Sequence, residues 1–208
     1  MKYGYLPKLM WCVFAPNFKK KLNTISSENT KKVMNTAHKK YKEILADIQE
    51  FDKDDRFILN ILSASMLAAV YLSLDNKPDV GALTDYYAKS MNNLIMRIHL
   101  RKSNQFTANY QDTLREDAKK SKKRINPYSW VYDFREGDDI NSFTATFHTC
   151  GICYLLNSLG IPEIAPALCR YDYTMAEQTG TEFTRKYTIA SGGKYCDCHY
   201  KNRRIKND

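Results

Sequence analysis

The chain has 208 residues, enough to bury one sizeable core. With 43% hydrophobic and 26% charged residues it reads as globular, which excludes a disordered chain. Lys and Arg outnumber Asp and Glu by 32 to 23, a net charge of +9, so a nucleic-acid or anionic-membrane partner must be weighed. The excess is scattered, however. Its local runs, Lys19 to Lys21, Lys119 to Arg124 and Lys201 to Arg204, read as solvated helix ends and a charged tail. No nucleic-acid recognition motif accompanies them, and a basic surface equally steers a small carboxylate toward a cleft.

At the start of the chain, Leu9 to Ala15 is apolar but short, lies between Pro7 and Pro16, and lacks a small-x-small cleavage site. It reads as a buried segment rather than a signal peptide. No stretch approaches the roughly 20 apolar residues that span a bilayer. From Thr30, apolar residues recur at helical spacing through Val33, Ala37, Tyr41, Ile44, Ile48 and Phe51, with Ser26, Ser27 and Asn29 available as caps. A second helix from about Asp55 to Leu74 carries little charge and should be the most buried. A third presents Val80, Leu83, Tyr87, Met91, Leu94, Ile95 and Ile98 on one face. A fourth, polar helix is expected between Thr107 and Lys123.

The period changes after Pro127. Tyr128, Trp130, Tyr132 and Phe134 alternate as in a half-buried strand, and Phe143, Ala145 and Phe147 alternate again after a Glu136–Asp139 turn. Cys150 to Leu159, closed by Gly160, and Pro162 to Gln178 read as helices. Phe183, Arg185, Tyr187 and Ile189 form a third strand, Ser191–Lys194 a hairpin turn, and Tyr195–Tyr200 the returning strand. The expected fold is α+β: a helical part over 1–123 packed on an antiparallel sheet within 124–208, in one domain spanning 1–208.

Five of the six cysteines crowd between Cys150 and Cys198. The chain is long for a disulfide scaffold, and reduced thiols in a cytoplasmic protein are the expectation. Cys150 lies where a strand yields to a helix, where free N–H groups would lower its thiol pKa. His148, two residues back, shares its face if the strand continues. Cys169 and Asp172 are three apart on one helix face. On the last strand Cys196 and Cys198 face one side, while Tyr195, Asp197 and His199 face the other. His38 and His99 read as structural or surface residues.

Three chemistries fit such a cluster. A thiolate can attack an electrophilic carbon, with His or Asp moving protons. The thiolates can bind zinc, although Cys196 and Cys198 lie about 7 Å apart as a second pair of ligands. The Cys150-x-x-Cys153 spacing can also be redox-active, but no βαβ unit precedes it as a thioredoxin-like motif requires.

Several motifs together carry a resemblance: Phe147-His148-Thr149-Cys150, Leu159-Gly160-Ile161-Pro162-Glu163, Leu168-Cys169-Arg170-Tyr171-Asp172, and Thr188 through Gly192-Gly193 to Cys196-Asp197. They resemble the L-2-amino-thiazoline-4-carboxylic acid hydrolase family, with a departure at Cys198, where the family usually has Phe. The Phe106-Thr107-x-x-Tyr110 run and Trp130 after Pro127 also fit. The resemblance implies a small-molecule substrate and opening of a cyclic amidine by water to an N-carbamoyl amino acid. It makes Cys150 or Cys196 the candidate nucleophile or metal ligand, Asp172 the base or amidinium anchor, and His148 the proton shuttle. Cys169, Asp197 and Trp130 are then candidate substrate contacts. The Ala190-Ser191-Gly192-Gly193-x-x-Cys196 ending is also similar to small-molecule-binding domains of the four-vinyl-reductase type, which need not catalyse. A cleft holding the three cysteines with Asp172 would favour the enzyme; a mostly apolar pocket with scattered cysteines would favour the binder.

Overall fold

The computed structural model describes residues 1–203, so Arg204, which closes the last basic run, lies outside it. Its centre is the weakly charged helix the sequence singles out. This helix, α3 (Ile58–Leu72), is buried at every position from Ile61 to Tyr71. Around it stand α1 (Tyr5–Lys21), α2 (Thr30–Asp47) and α4 (Val80–Met91), followed by α5 (Leu94–Lys102) and α6 (Ala108–Ser121). Then come β1 (Tyr132–Glu136), β2 (Ser142–Phe147), α7 (Gly151–Ser158), α8 (Ala165–Thr179), β3 (Thr181–Thr184) and β4 (Cys196–Asn202). The four strands form one antiparallel sheet in the order β1-β2-β4-β3, which makes the fold α+β.

Helix α2 begins where Asn29 accepts a hydrogen bond from the Lys32 N–H, so Asn29 is the working cap among the three polar residues offered there. It ends at Asp47, before Phe51. The apolar segment read as buried is part of helix α1. Pro16 should disfavour a helix interior by about 3 kcal/mol, yet the helix runs through it. Phe14 and Phe18, one turn apart, are anchored in the core, and Tyr86 donates to the Phe18 carbonyl at 3.0 Å. The opposite face is open: Leu9 and Cys12 are exposed.

The expected third helix is two. Asn93 accepts from the Met96 N–H at 2.8 Å and donates to the Val13 carbonyl at 3.2 Å, so it caps a new helix instead of continuing the old one. Helix α5 is thereby turned, and Leu94, Ile95 and Ile98 are exposed rather than buried beside Val80 and Leu83. Tyr128 and Trp130 also fall outside β1, in a turn organised by Asn126. The third strand stops at Thr184, and 185–195 form a loop with a short 3-10 turn at Ile189–Ser191, in place of a tight hairpin.

Side-chain alternation gives the sheet two unlike faces. Tyr132, Phe147 and Cys196 lie abreast on the inner face, as do Phe134, Ala145 and Cys198; Asp133, Thr146 and Asp197 lie abreast on the outer one. Helix α6 packs against β1 and α8 against β3, and a core of apolar side chains continues from α1 to α8.

A buried ionic cluster fastens helices to sheet. Arg124 was expected at a solvated helix end, but only 4% of its side chain is accessible. It donates to Asp117 on α6 at 2.5 Å and lies 3.6 Å from Asp55, just before α3. Asp117 also accepts from the Tyr132 hydroxyl at 2.8 Å, and Asp55 from Ser129. Lys119, Lys120 and Lys122 from the same run do pair at the surface. Removing the cation strands two carboxylates in a dry site. Arg124→Ala should therefore cost about 3–5 kcal/mol in urea unfolding, and a loss below about 1 kcal/mol would contradict the cluster's role.

Candidate functional site

The site is built on α8, whose Cys169 and Asp172 sit within one turn. Facing them is Arg185, the first residue after β3. Its guanidinium donates to Asp172 Oδ2 at 2.9 Å and to the Cys169 carbonyl at 3.0 Å. Only 7% of the Arg185 side chain is accessible, and it lies over the rings of Tyr173 and Phe183. The planar fork suits two acceptors at once, a geometry that Lys cannot reproduce.

The loop that delivers Arg185 is tied down from β4. Asp197 accepts the N–H groups of Lys186 at 3.1 Å and Tyr187 at 2.6 Å. Burial alone would raise its carboxyl, but these donors and His199 outweigh it and hold the pKa below the ordinary value. Cys196 Sγ accepts the Ile189 N–H at 3.3 Å. Asp197 is thus an anchor of the loop on the outer side of the sheet.

The preceding motifs set the position of α7. Cys150 is its N-cap and takes the Cys153 N–H on its sulfur at 3.5 Å. Gly151 follows because the helix start abuts another backbone: a Cβ there would lie 1.8 Å from the Tyr128 carbonyl oxygen. At the other end Gly160, with φ +70°, reverses the chain. Glu163 in the same motif then accepts from the Tyr71 hydroxyl of α3 at 3.0 Å. Trp130 is likewise internal, packed on Phe57 with ring centroids 4.9 Å apart.

The thiols differ from expectation. Cys150 was expected to be acidified by its helix. Its pKa is instead raised well above the usual value, by the Cys153 thiol and by burial, which together outweigh the Cys153 and Ile152 N–H groups. Burial and the Asp172 charge push Cys169 and Cys198 up to about 12. Burial also raises Cys196. Cys150, Cys169 and Cys196 influence one another, so they share a neighbourhood, but as protonated thiols at neutral pH. His148 does not join them. The strand ends at Phe147, and the imidazole bonds Asp133 at 2.7 Å on the outer face. Among the described residues, no group of three or more His, Cys, Asp or Glu side chains is placed to hold a metal ion.

Beside the Arg185–Asp172 pair lies a cavity of about 370 Å³ between the helices. Asp172 forms part of its wall and keeps 38% of its side chain accessible. Burial raises the Asp172 pKa, and Arg185 pulls it only part of the way back. Ile152 and Leu168, neighbours of Cys153 and Cys169, line the cavity, whereas none of the cysteines does. The other walls come from α1, α3, α4 and α5; the further polar groups are Asn60, Ser63, Tyr87 and His99, with Tyr171 on α8. A larger, open depression of about 560 Å³ lies on the outer face of the sheet around Arg135, Glu182 and His199, away from the Asp172 pair.

Two residues of this site escaped the sequence reading. Arg185 was placed in a strand with Phe183 and Tyr187; an arginine in step with the inward-facing Phe183 was the available signal. His99, read as structural or surface, is exposed, and it also lines the cavity, four residues after Ile95. The protonated, sheltered thiols carry a prediction. At pH 7 iodoacetamide should label exposed Cys12 readily in the native protein, while Cys150, Cys169, Cys196 and Cys198 react at least about tenfold more slowly until unfolding. Peptide mass spectrometry reads this out, and fast labelling of Cys150 would overturn the assignment.

A family model described as L-2-amino-thiazoline-4-carboxylic acid hydrolase matches residues 59–200, more than half of the chain. The match includes Cys150, Cys169, Asp172, Arg185 and Asp197. No curated protein and no solved structure matches the chain significantly.

Proposed function

The chain belongs to the L-2-amino-thiazoline-4-carboxylic acid hydrolase family, and on that premise we propose that it opens a cyclic amidine by water, with Asp172 as the base. The observation that carries this reading is that Asp172 is the candidate catalytic side chain on the cavity wall. An amidinium drawn to its carboxylate places the electrophilic carbon beside the group that takes a proton from water. The water oxygen bonds to the amidine carbon and becomes the carbonyl oxygen of the product. The ring C–S bond breaks as the added hydroxyl becomes the carbonyl; sulfur leaves as a thiol after receiving the proton held by Asp172, and the hydroxyl proton, equivalent to the one the amidinium brought in, passes to solvent. One water is consumed, and the carboxylate is regenerated.

A carboxyl raised above its ordinary pKa, and still accessible from a largely apolar cavity, suits this exchange. Arg185 is a positioning residue: it holds one carboxylate oxygen and keeps the group ionised enough to act as a base. The buried thiols fit the support of this geometry better than nucleophilic attack. The mostly apolar lining favours a second reading, a ligand-binding domain like the four-vinyl-reductase type, in which Asp172 recognises a cation without turnover.

Ring opening of 2-amino-thiazoline, with and without its 4-carboxylate, can be followed by thiol release. Asp172→Asn should lower turnover at least about 100-fold, whereas Cys150→Ala should retain most of it. Activity should be lost as pH falls through the raised Asp172 pKa, because the protonated acid cannot accept a proton. Arg185→Met removes the cation that lowers this pKa, so its acid limb should shift to higher pH. A full-rate Asp172→Asn enzyme would refute the base assignment. Tight amidine binding without opening of either ring would select the binding domain.

A further inference from the structure

The cavity wall is poorly matched to a small ring acid. Among the residues that line it, none is Lys or Arg, so a ligand carboxylate would meet no guanidinium or ammonium group there. The anionic partner it does supply is Asp172. The rest is dominated by apolar side chains, including Met10, Met91, Met96 and Met175, four of the seven methionines in the chain. Thioether side chains are flexible and polarisable, and adapt to apolar bodies of varied shape.

The size and the rim point the same way. A volume of about 370 Å³ lies within the roughly 300–1,000 Å³ typical of pockets for drug-sized ligands. It is far larger than one small ring needs. Leu59 and Ile95 line the cavity yet remain 47% and 60% exposed. An apolar ligand body reaching the mouth would cover them. Tyr171, also on the wall, has a buried hydroxyl without a hydrogen-bond partner, next to the helix turn that carries Asp172.

We propose that the ligand of this cavity is an amidine bearing an extended apolar substituent and no carboxylate, with its cationic head on Asp172 and its apolar body along the Met10, Leu59, Ile95, Met96 and Met175 walls. This rests on the reading of Asp172 as an amidinium anchor and replaces the ring carboxylate with an apolar group. The apolar body supplies affinity in proportion to buried surface, while the carboxylate selects the head.

Calorimetric titration of the full chain with straight-chain amidinium ions, from acetamidinium to hexanamidinium, tests this without any need for turnover. Affinity should rise roughly fourfold per methylene, the equivalent of about 0.8 kcal/mol each. Carboxylates of equal chain length should bind at least about tenfold more weakly than the matching amidinium ions. Asp172→Asn should remove that preference for the cation while leaving the chain-length dependence. The wild-type series is decisive even if the variant fails to fold. Affinity independent of chain length, or carboxylates that bind as tightly as amidinium ions, would overturn the proposal. If that failure accompanied normal opening of 2-amino-thiazoline-4-carboxylate, the hydrolase reading would survive it. If the amidinium series behaved as expected but no cyclic amidine opened, the ligand class would stand and the hydrolase reading would fall.

Discussion

One guanidinium with two acceptors organises the C-terminal half. Arg185 reaches from the end of the β3 segment to the Asp172 carboxylate and the Cys169 carbonyl on α8. Taking such charges out of water costs several kcal/mol per ion, and their attraction offsets this only with good geometry. The loop 185–195 must therefore return to one position over α8. Asp197 and Cys196 hold it there by accepting backbone N–H groups from Lys186, Tyr187 and Ile189. Residues that read as a cluster of nucleophiles in the sequence thus converge on the placement of one carboxylate.

This placement divides the site into two environments. Behind the ion pair, thiols packed between α7, α8 and β4 are kept protonated by burial and, for Cys169 and Cys198, by the Asp172 charge. In front of it lies an apolar cavity, where the same carboxylate retains an accessible surface. Low dielectric surroundings strengthen whatever interaction the carboxylate makes with an incoming cation. The close backbone approach at Gly151 and the Tyr71–Glu163 hydrogen bond fix α7 and the following turn against the helical core. Core packing and site geometry are therefore linked through the matched motifs.

The sequence made the helical bulk and the sheet's faces legible because both follow local periodicity. Helices α2, α3 and α6, and the inward alternation of Phe143, Ala145, Cys196 and Cys198, are of this kind. Local rules failed where a distant contact decided the outcome. The core anchors Phe14 and Phe18 carry α1 through Pro16, and the reach of Asn93 to Val13 turns α5 away from α4. Arg124 reads as the end of a solvated basic run, but Asp117 on the preceding helix and the sequence-distant Asp55 draw it inside. Within the site, Cys169 and Asp172 share a face by helical spacing alone. Their partner Arg185 lies on another element, and the acidifying effect of the helix on Cys150 is overridden by the Cys153 thiol, which the C-x-x-C spacing displays, and by burial, which it does not.

The central claim is that Asp172 is a sheltered but accessible carboxylate, held by Arg185 and poised to exchange a proton at the cavity wall. The most direct test is a carbon-detected NMR titration of the Asp172 carboxyl in the full chain. A midpoint above the ordinary aspartate value of 3.8, with a response to added amidinium ion, is the predicted result. A midpoint at or below that value, unaffected by the cation, would make the pair a purely structural ion pair and contradict the account.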